Sequence, residues 1–144
     1  VVVVSRRVLM AISPIHYDTK ESRVIDPCTG GEKGSKLARF DLIPPEAMWA
    51  LAEHYGKGTI KYADRNWERG YKWGLSLAAL HRHLNLWQQE EDFDPETDSH
   101  HLIAVIWHAL ALYTFQVRGL GTDDLGGEPC PLRGGEERHG DQPV

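Results

Sequence analysis

The chain has 144 residues, a formal charge of −5 and a pI near 5.9. That length suits one domain burying about two-thirds of its unfolded surface. The acidic balance argues against stable sequence-independent binding to nucleic acid or to an anionic membrane, because both need a basic face. A small anionic ligand stays compatible with it. The two cysteines, Cys28 and Cys130, lie in Gly/Pro-rich flanks without CxxC or CxxH spacing, so they indicate neither a zinc ribbon nor a disulfide framework.

In chain order, VVVVSRRVLMAISPI places its arginines after a very short apolar run, the wrong order and length for a signal peptide. Residues 1–22 read as a variable leader, the valine run being either a short strand or, as preferred, sequence upstream of a natural start near Met10. No stretch reads as a bilayer span, since even the apolar run after Ser99 contains His101, His108 and Gln116. A soluble, cytoplasmic protein is expected. Residues 17–43 are loop-like and locally basic, with Lys33, Lys36 and Arg39 around Gly30, Gly31 and Gly34. GGEKGSK lacks P-loop spacing and its flanking strand and helix, so the expectation is a mobile loop, with a basic phosphate-closing flap as the sharper alternative.

Residues 44–118 carry the core. Pro44 and Pro45 predict a helix start, and Met48, Leu51, Ala52 and Tyr55 form a stripe that should end at Gly56 and Gly58. A second short helical turn is expected to hold Lys61 and Tyr62. After ADRNWERGYKW, a long helix is predicted from Leu75 to Glu91, with Leu77, Leu80, Leu84 and Trp87 facing inward. Asp94 precedes Pro95, which ends the helix, and Thr97, Asp98 or Ser99 can cap the last helix. The acidic, Gly-rich stretch 119–144 lacks an apolar period and should be a disordered tail. The expected fold is all-α, a small helical bundle over residues 23–118.

The chemistry concentrates on the second and third helices. At about 100° per residue, His83, Trp87, Glu90, Glu91 and Asp94 share about a third of a helix circumference. His101 and His108, seven residues apart on an otherwise apolar helix, should both point into protein. Carboxylates suit Mg²⁺ or Mn²⁺ and phosphate-ester chemistry, while added imidazoles tilt a site toward Mn²⁺, Co²⁺ or Zn²⁺. His83, Glu91, Asp94 and His101 are therefore the candidate metal and acid/base set. Taken singly, the acids are as easily a solvated helix end, and His108 is as easily a core histidine as a ligand; His81 falls on the opposite side from His83.

A second constellation precedes it: Lys61, Tyr62, Arg65, Asn66, Trp67 and Trp73. Cations beside aromatics suit a nucleotide, the cations pairing with phosphates while a ring stacks on the base; core anchoring is the equal alternative for both tryptophans. Arg82 can reach phosphate from the same cleft.

The pieces KLARFDLIP, KYADRNWERG, RHLNLW and EEDFDPET…H resemble the phage and prophage family described as the dATP/dGTP diphosphohydrolase N-terminal domain, itself similar to the all-α MazG-like pyrophosphohydrolases. The resemblance spans about residues 23 to 118. It implies a dimeric or tetrameric enzyme, in the host cytoplasm if phage-encoded, that cleaves a purine deoxynucleoside triphosphate between the α and β phosphates with Mg²⁺ or Mn²⁺. MazG-like enzymes show ExxE on one acidic helix and ExxD on the next. Here HRHLNLW stands for the first, and His101 and Ala104 stand where Glu and Asp are expected, so the implied site is rebuilt around His83, Glu91, Asp94 and His101. On that reading Lys61, Arg65 and Arg82 neutralise pyrophosphate, Asn66 reads a purine edge and Trp67 stacks on it. The rivals are a non-catalytic helical module for dimerisation or host-protein binding, and a His-rich metallohydrolase acting on another phosphate ester.

Overall fold

The structure is a computed structural model and describes residues 20–126. Most of the expected leader, Cys130 and the tail beyond Gly126 lie outside the described residues. Two strands, β1 (Ser22–Ile25) and β2 (Glu32–Ser35), come first, followed by a 3₁₀ turn at Phe40–Leu42. Helix α1 (Pro45–Lys61), a 3₁₀ turn at Asn66–Arg69 and helix α2 (Trp73–Gln88) come next. A minimal hairpin of β3 (Phe93–Asp94) and β4 (Ser99–His100) then leads into helix α3 (His101–Arg118). The fold is thus mainly helical but not purely all-α, because each pair of strands forms a two-stranded antiparallel sheet.

The segment expected to be a loop is partly this first hairpin. Val24 faces Lys33 and Arg23 faces Gly34 across it, and Asp26 accepts the Cys28 and Thr29 N–H groups to close the turn. An Asx-type turn of this kind supplies the reversal.

Helix α1 starts where its prolines predict, Pro44 preceding Pro45 at the first helical position. It does not stop at Gly56 and Gly58 but runs through both to Lys61, which corrects the expected break. A mid-helix glycine costs about 1 kcal/mol, and tertiary contacts offset it. The Lys57 ammonium donates to the Asp98 carbonyl at 2.6 Å and to Ser99 Oγ at 3.3 Å, pinning the late turns of α1 to the β3–β4 hairpin.

Helix α2 begins at Trp73 and ends at Gln88, short of the expected Glu91. Its end is a Schellman-type closure: the Glu91 N–H returns to the Leu86 carbonyl at 3.2 Å while Glu90 takes a left-handed φ of 66°. Glycine normally fills that position, so nothing in the sequence marked it. Helix α3 ends conventionally, with Gly119 at φ 65° and Leu120 N–H bonded to the Phe115 carbonyl. Its N-cap is His100, whose Nδ1 accepts the Leu102 N–H, rather than any of the three residues expected.

Helices α2 and α3 run antiparallel, with Trp73 meeting Leu120 at one end and His83 meeting His101 at the other. Helix α1 packs on α3. The buried apolar residues are Leu51, Trp73, Ala79, Ala104, Ala111 and Phe115, with Ser76, Ser99 and His101 buried beside them. The inward face of α2 is therefore Trp73, Ser76 and Ala79; Leu77, Leu80 and Leu84 are half-buried and Trp87 is exposed. Small side chains at a helix contact let the axes approach, which is why alanines displace leucines from the seam.

Leu120, Thr122 and Asp124, in the stretch expected to be disordered, are tied by hydrogen bonds to the start of α2. The Leu120 carbonyl accepts the Trp73 indole N–H at 2.9 Å, Thr122 exchanges backbone bonds with Tyr71 and Trp73, and Asp124 accepts the Gly74 N–H at 2.7 Å. That carboxylate caps α2 from fifty residues away. Gly70 and Gly121, both at positive φ, touch through their backbones, and a Cβ on Gly121 would collide with the Tyr71 carbonyl.

Candidate active site

One cleft of about 1050 Å³ opens between α1, the Asn66–Arg69 turn, α2, α3 and the β3–β4 hairpin. Lys61, Tyr62, Arg65, Asn66, Trp67 and Arg82 all line it. These are six of the seven residues that sequence chemistry grouped for a nucleotide, Trp73 being the exception, and they come from the end of α1, the 3₁₀ turn and the middle of α2. Of the acid and imidazole set, His83 and Asp94 also line the cleft. His101 is fully buried behind His83. Glu91 is exposed beyond the end of α2 and does not line the cleft. The shared helical face therefore ends at Gln88, because the chain turns left-handed at Glu90.

The mouth carries charge. The Lys61 ammonium lies 2.7 Å from a Glu96 carboxylate oxygen, joining the end of α1 to the β3–β4 turn. Arg65 adopts φ 58°, an uncommon left-handed conformation for a non-glycine residue; such positions cluster at ligand sites. Glu68 sits between the guanidinium groups of Arg65 and Arg118, at 3.5 and 3.2 Å. Tyr62 is exposed at the rim. Trp67 is held among Tyr55, Trp107 and Phe115, with ring centroids 6.1 to 6.2 Å apart. Trp67 is thus both wall and core, whereas Trp73 is buried outside the cleft.

The floor is imidazole-rich. His54 from α1, His83 from α2 and His108 from α3 all line the cleft, one from each helix. His83 Nδ1 and His101 Nδ1 are 2.8 Å apart, and the His83 and His108 rings stack at 5.8 Å. Burial holds His54, His83 and His108 below the usual histidine range, His108 to about 4, and their proximity adds to this. Asp94 faces the same cluster. Burial would raise its carboxyl, but the Thr97 hydroxyl, the Glu96 N–H and the nearby imidazoles hold it below the carboxylate range. His54, Tyr71, Ser76 and Glu96 were not anticipated here. His54 stands alone on α1 with no partner in sequence, so only tertiary packing shows its role.

These shifts have a thermodynamic consequence. A buried histidine that protonates less readily in the native state leaves the unfolded chain binding more protons between about pH 6.5 and pH 4. Stability should thus be flat above pH 6.5 and fall as the pH drops through that window. His108 alone should contribute a loss of roughly 2–3 kcal/mol by pH 4.5. Urea unfolding at pH 7.5, 6 and 4.5 reads it, and His108→Gln should flatten the slope.

The expected metal set does not assemble as arranged. Among the described residues no group of three or more His, Cys, Asp or Glu side chains is placed to hold an ion. Two imidazole nitrogens on one zinc-like ion, each about 2.0–2.1 Å from it, stand roughly 3.3 Å apart when tetrahedral. The His83–His101 contact is a hydrogen bond and too short for that. The cleft lining instead carries Lys57, Lys61, Arg65 and Arg82 together with Asp64, Glu68, Asp94 and Glu96, over a floor of imidazoles whose protonation is disfavoured.

No helix among the described residues is long and apolar enough to cross a membrane. No curated protein and no solved structure matches the chain. Residues 27–125, more than half of the sequence, match the family model described as dATP/dGTP diphosphohydrolase, N-terminal, and they include every cleft residue named above. The chain belongs to the dATP/dGTP diphosphohydrolase N-terminal family.

Proposed function

We propose that this chain hydrolyses a purine deoxynucleoside triphosphate, dGTP or dATP, to the monophosphate and pyrophosphate. The observation that carries this reading is the convergence of Lys61, Tyr62, Arg65, Asn66, Trp67 and Arg82 on one cleft, in a chain of this family. Lys61, Arg65 and Arg82 neutralise the phosphates, and Lys61 exchanges Glu96 for a phosphate oxygen when substrate arrives. Tyr62 and Trp67 offer rings to the base, and Asn66 offers an amide to its edge. Water attacks the α-phosphorus in line, the bond to the bridging oxygen breaks, and pyrophosphate leaves with that oxygen. In the tautomer in which His83 Nδ1–H donates to His101 Nδ1, the bare Nε2 of His83 is the nitrogen proposed to take the water's proton.

The divalent ion, Mg²⁺ or Mn²⁺, is proposed to arrive on the triphosphate, with Asp94 among the acids of the cleft that would face it. A relation to MazG-like enzymes agrees with the mainly helical fold and belongs to the same proposal.

Assay of a dNTP panel with Mg²⁺ and with Mn²⁺ tests the reading. The expected products from dGTP or dATP are dNMP and pyrophosphate in one step. Diphosphate plus orthophosphate, or nucleoside plus triphosphate, rejects the cleavage position. Absence of turnover with every dNTP favours the binding-module alternative.

Assembly is part of the proposal. Ile106, Leu110 and Tyr113 are exposed at i, i+4 and i+7 on α3, an outward apolar stripe that the monomer does not cover. Burial against a second copy makes a dimer or tetramer. Light scattering at micromolar concentration should give at least twice the monomer mass, and a monomer would count against it.

A further inference from the structure

The deepest polar group in the cleft wall is not one of the expected ligands. Ser76 is 1 % exposed, and its Oγ joins two neighbours: the Tyr71 hydroxyl at 2.7 Å and His108 Nδ1 at 3.2 Å. Tyr71, Ser76 and His108 all line the cleft. A serine hydroxyl has one proton and two lone pairs; accepting from both neighbours would leave that proton without an acceptor among the described residues, so two arrangements of this chain remain. In one, Tyr71 donates to Ser76 and Ser76 donates to His108 Nδ1, which leaves the proton of His108 on Nε2. In the other, His108 Nδ1–H donates to Ser76, Ser76 donates to Tyr71, and the tyrosine proton must find a further acceptor.

The first arrangement is the one that uses every proton. Tyr71 Oη makes no second hydrogen bond among the described residues, so the reversed chain strands a half-buried phenolic O–H, at a cost of about 1–3 kcal/mol. A phenol is also a better donor and a poorer acceptor than an aliphatic hydroxyl. His108 Nε2 itself is not among the buried, partnerless side-chain atoms, whereas His54 Nδ1 and His101 Nε2 are. With Nδ1 spent on Ser76, Nε2 is the edge that His108 turns toward the open cleft. Trp107 meets the same ring edge to face at 4.9 Å and His83 stacks on it, which fixes its plane.

We infer that His108 presents an Nε2–H donor to a phosphate oxygen bound in this cleft, and that Tyr71 and Ser76 are positioning residues that set its tautomer. The inference rests on the proposed nucleotide reading and deepens it. An N–H aimed into a low-dielectric floor, fixed before substrate arrives, stabilises negative charge on a phosphoryl oxygen without reorganising. It differs in kind from Lys61, Arg65 and Arg82, because it adds no positive charge and holds an oxygen in one direction. A serine–histidine contact of this sort elsewhere suggests a nucleophile and its base, but here the serine is buried and its hydroxyl points along the chain of donors.

Imidazole ¹⁵N NMR on the full chain at pH 7.5 tests the tautomer directly, with His108 assigned by the signals that vanish in His108→Gln. The expected pattern is a protonated Nε2 and a bare Nδ1; the reverse pattern overturns the inference. Calorimetric titration with pyrophosphate and with α,β-methylene-dGTP tests the contact. His108→Ala should weaken both ligands about tenfold or more, while His108→Gln, whose amide N–H reaches a similar place, should recover most of the affinity. Wild-type affinity in His108→Ala overturns the inference. Tyr71→Phe keeps the ring against Phe115 and removes only the first donor, so it should give a mixed tautomer and a severalfold loss of affinity; an unchanged tautomer overturns the positioning role. If alanine at 108 prevents folding, the glutamine and phenylalanine variants decide the matter. His81→Asn, on an exposed side chain, is the control. A protein that shows the tautomer and the pyrophosphate affinity but hydrolyses no dNTP rejects the function and leaves this contact standing.

Discussion

Asp94→Asn should lower kcat/KM for the purine dNTP by on the order of a hundredfold while moving the unfolding midpoint by no more than a few degrees. The carboxylate sits at the end of β3 on the cleft wall, where the Thr97 hydroxyl donates to it at 2.8 Å and the Glu96 N–H at 3.3 Å. The two bonds fall on different carboxylate oxygens, so the asparagine oxygen keeps the Glu96 N–H while the Thr97 hydroxyl turns to accept from the new amide N–H, and the β3–β4 turn survives. What disappears is the negative charge facing His83 and His101. That charge offsets a proton on His83 and is one of the carboxylates that line the cleft. The variant should therefore also need more Mg²⁺ for half-maximal rate. Unchanged turnover and metal dependence would remove Asp94 from the site and turn attention to Glu96, which lines the same cleft. Glu53, an acid on α1, is occupied elsewhere: its carboxylate accepts the Trp49 indole N–H at 2.9 Å and lies outside the cleft.

The contrast between Asp94 and Glu91 shows what periodicity can and cannot read. A wheel drawn from His83 places both acids on one face only while the helix lasts. The helix stops at Gln88 because Glu90 takes a conformation that its side chain disfavours, which a composition rule assigns to glycine. The prolines at the start of α1 and Gly119 at the end of α3 act as their chemistry predicts, since each imposes or permits one backbone state locally. Gly56 and Gly58 permit a break without imposing one, and Lys57 bonding across to Asp98 and Ser99 decides for the helix. Likewise the cap of α2 comes from Asp124, whose contribution no local window contains.

The cations and aromatics on the cleft wall were legible for a different reason. Lys61 to Trp67 are nearly contiguous, so any turn that closes there gathers them, and the 3₁₀ turn beginning at Asn66 does so. The imidazole floor was legible only in part. His83 and His101 follow from helix faces, whereas His54 and Ser76 join them through packing of three helices at a seam of small residues.

That seam is also where stability should be most sensitive, and Phe115→Ala is expected to cost about 3–5 kcal/mol. Phe115 is wholly buried near the end of α3. Tyr71 meets its ring edge to face at 4.9 Å, Trp67 tilts against it at 6.1 Å, and its carbonyl receives the Leu120 N–H that closes the helix. Truncation to Cβ leaves a cavity that alanines at 104 and 111 cannot reach to fill, so transfer and cavity terms add. For a domain whose whole stability is about 5–15 kcal/mol, that loss is a large fraction. Urea unfolding of the purified protein measures it; a change below 1 kcal/mol would contradict the packing described here. The same truncation removes the support behind Trp67 and Tyr71, two walls of the cleft, so nucleotide affinity should fall even at temperatures where the variant stays folded. Tyr113→Ala supplies the comparison on the same helix, because that ring is exposed. In an isolated subunit it should cost less than about 0.5 kcal/mol. If α3 is instead the face buried between two copies, unfolding of that variant becomes strongly dependent on protein concentration while the cleft residues keep their affinity.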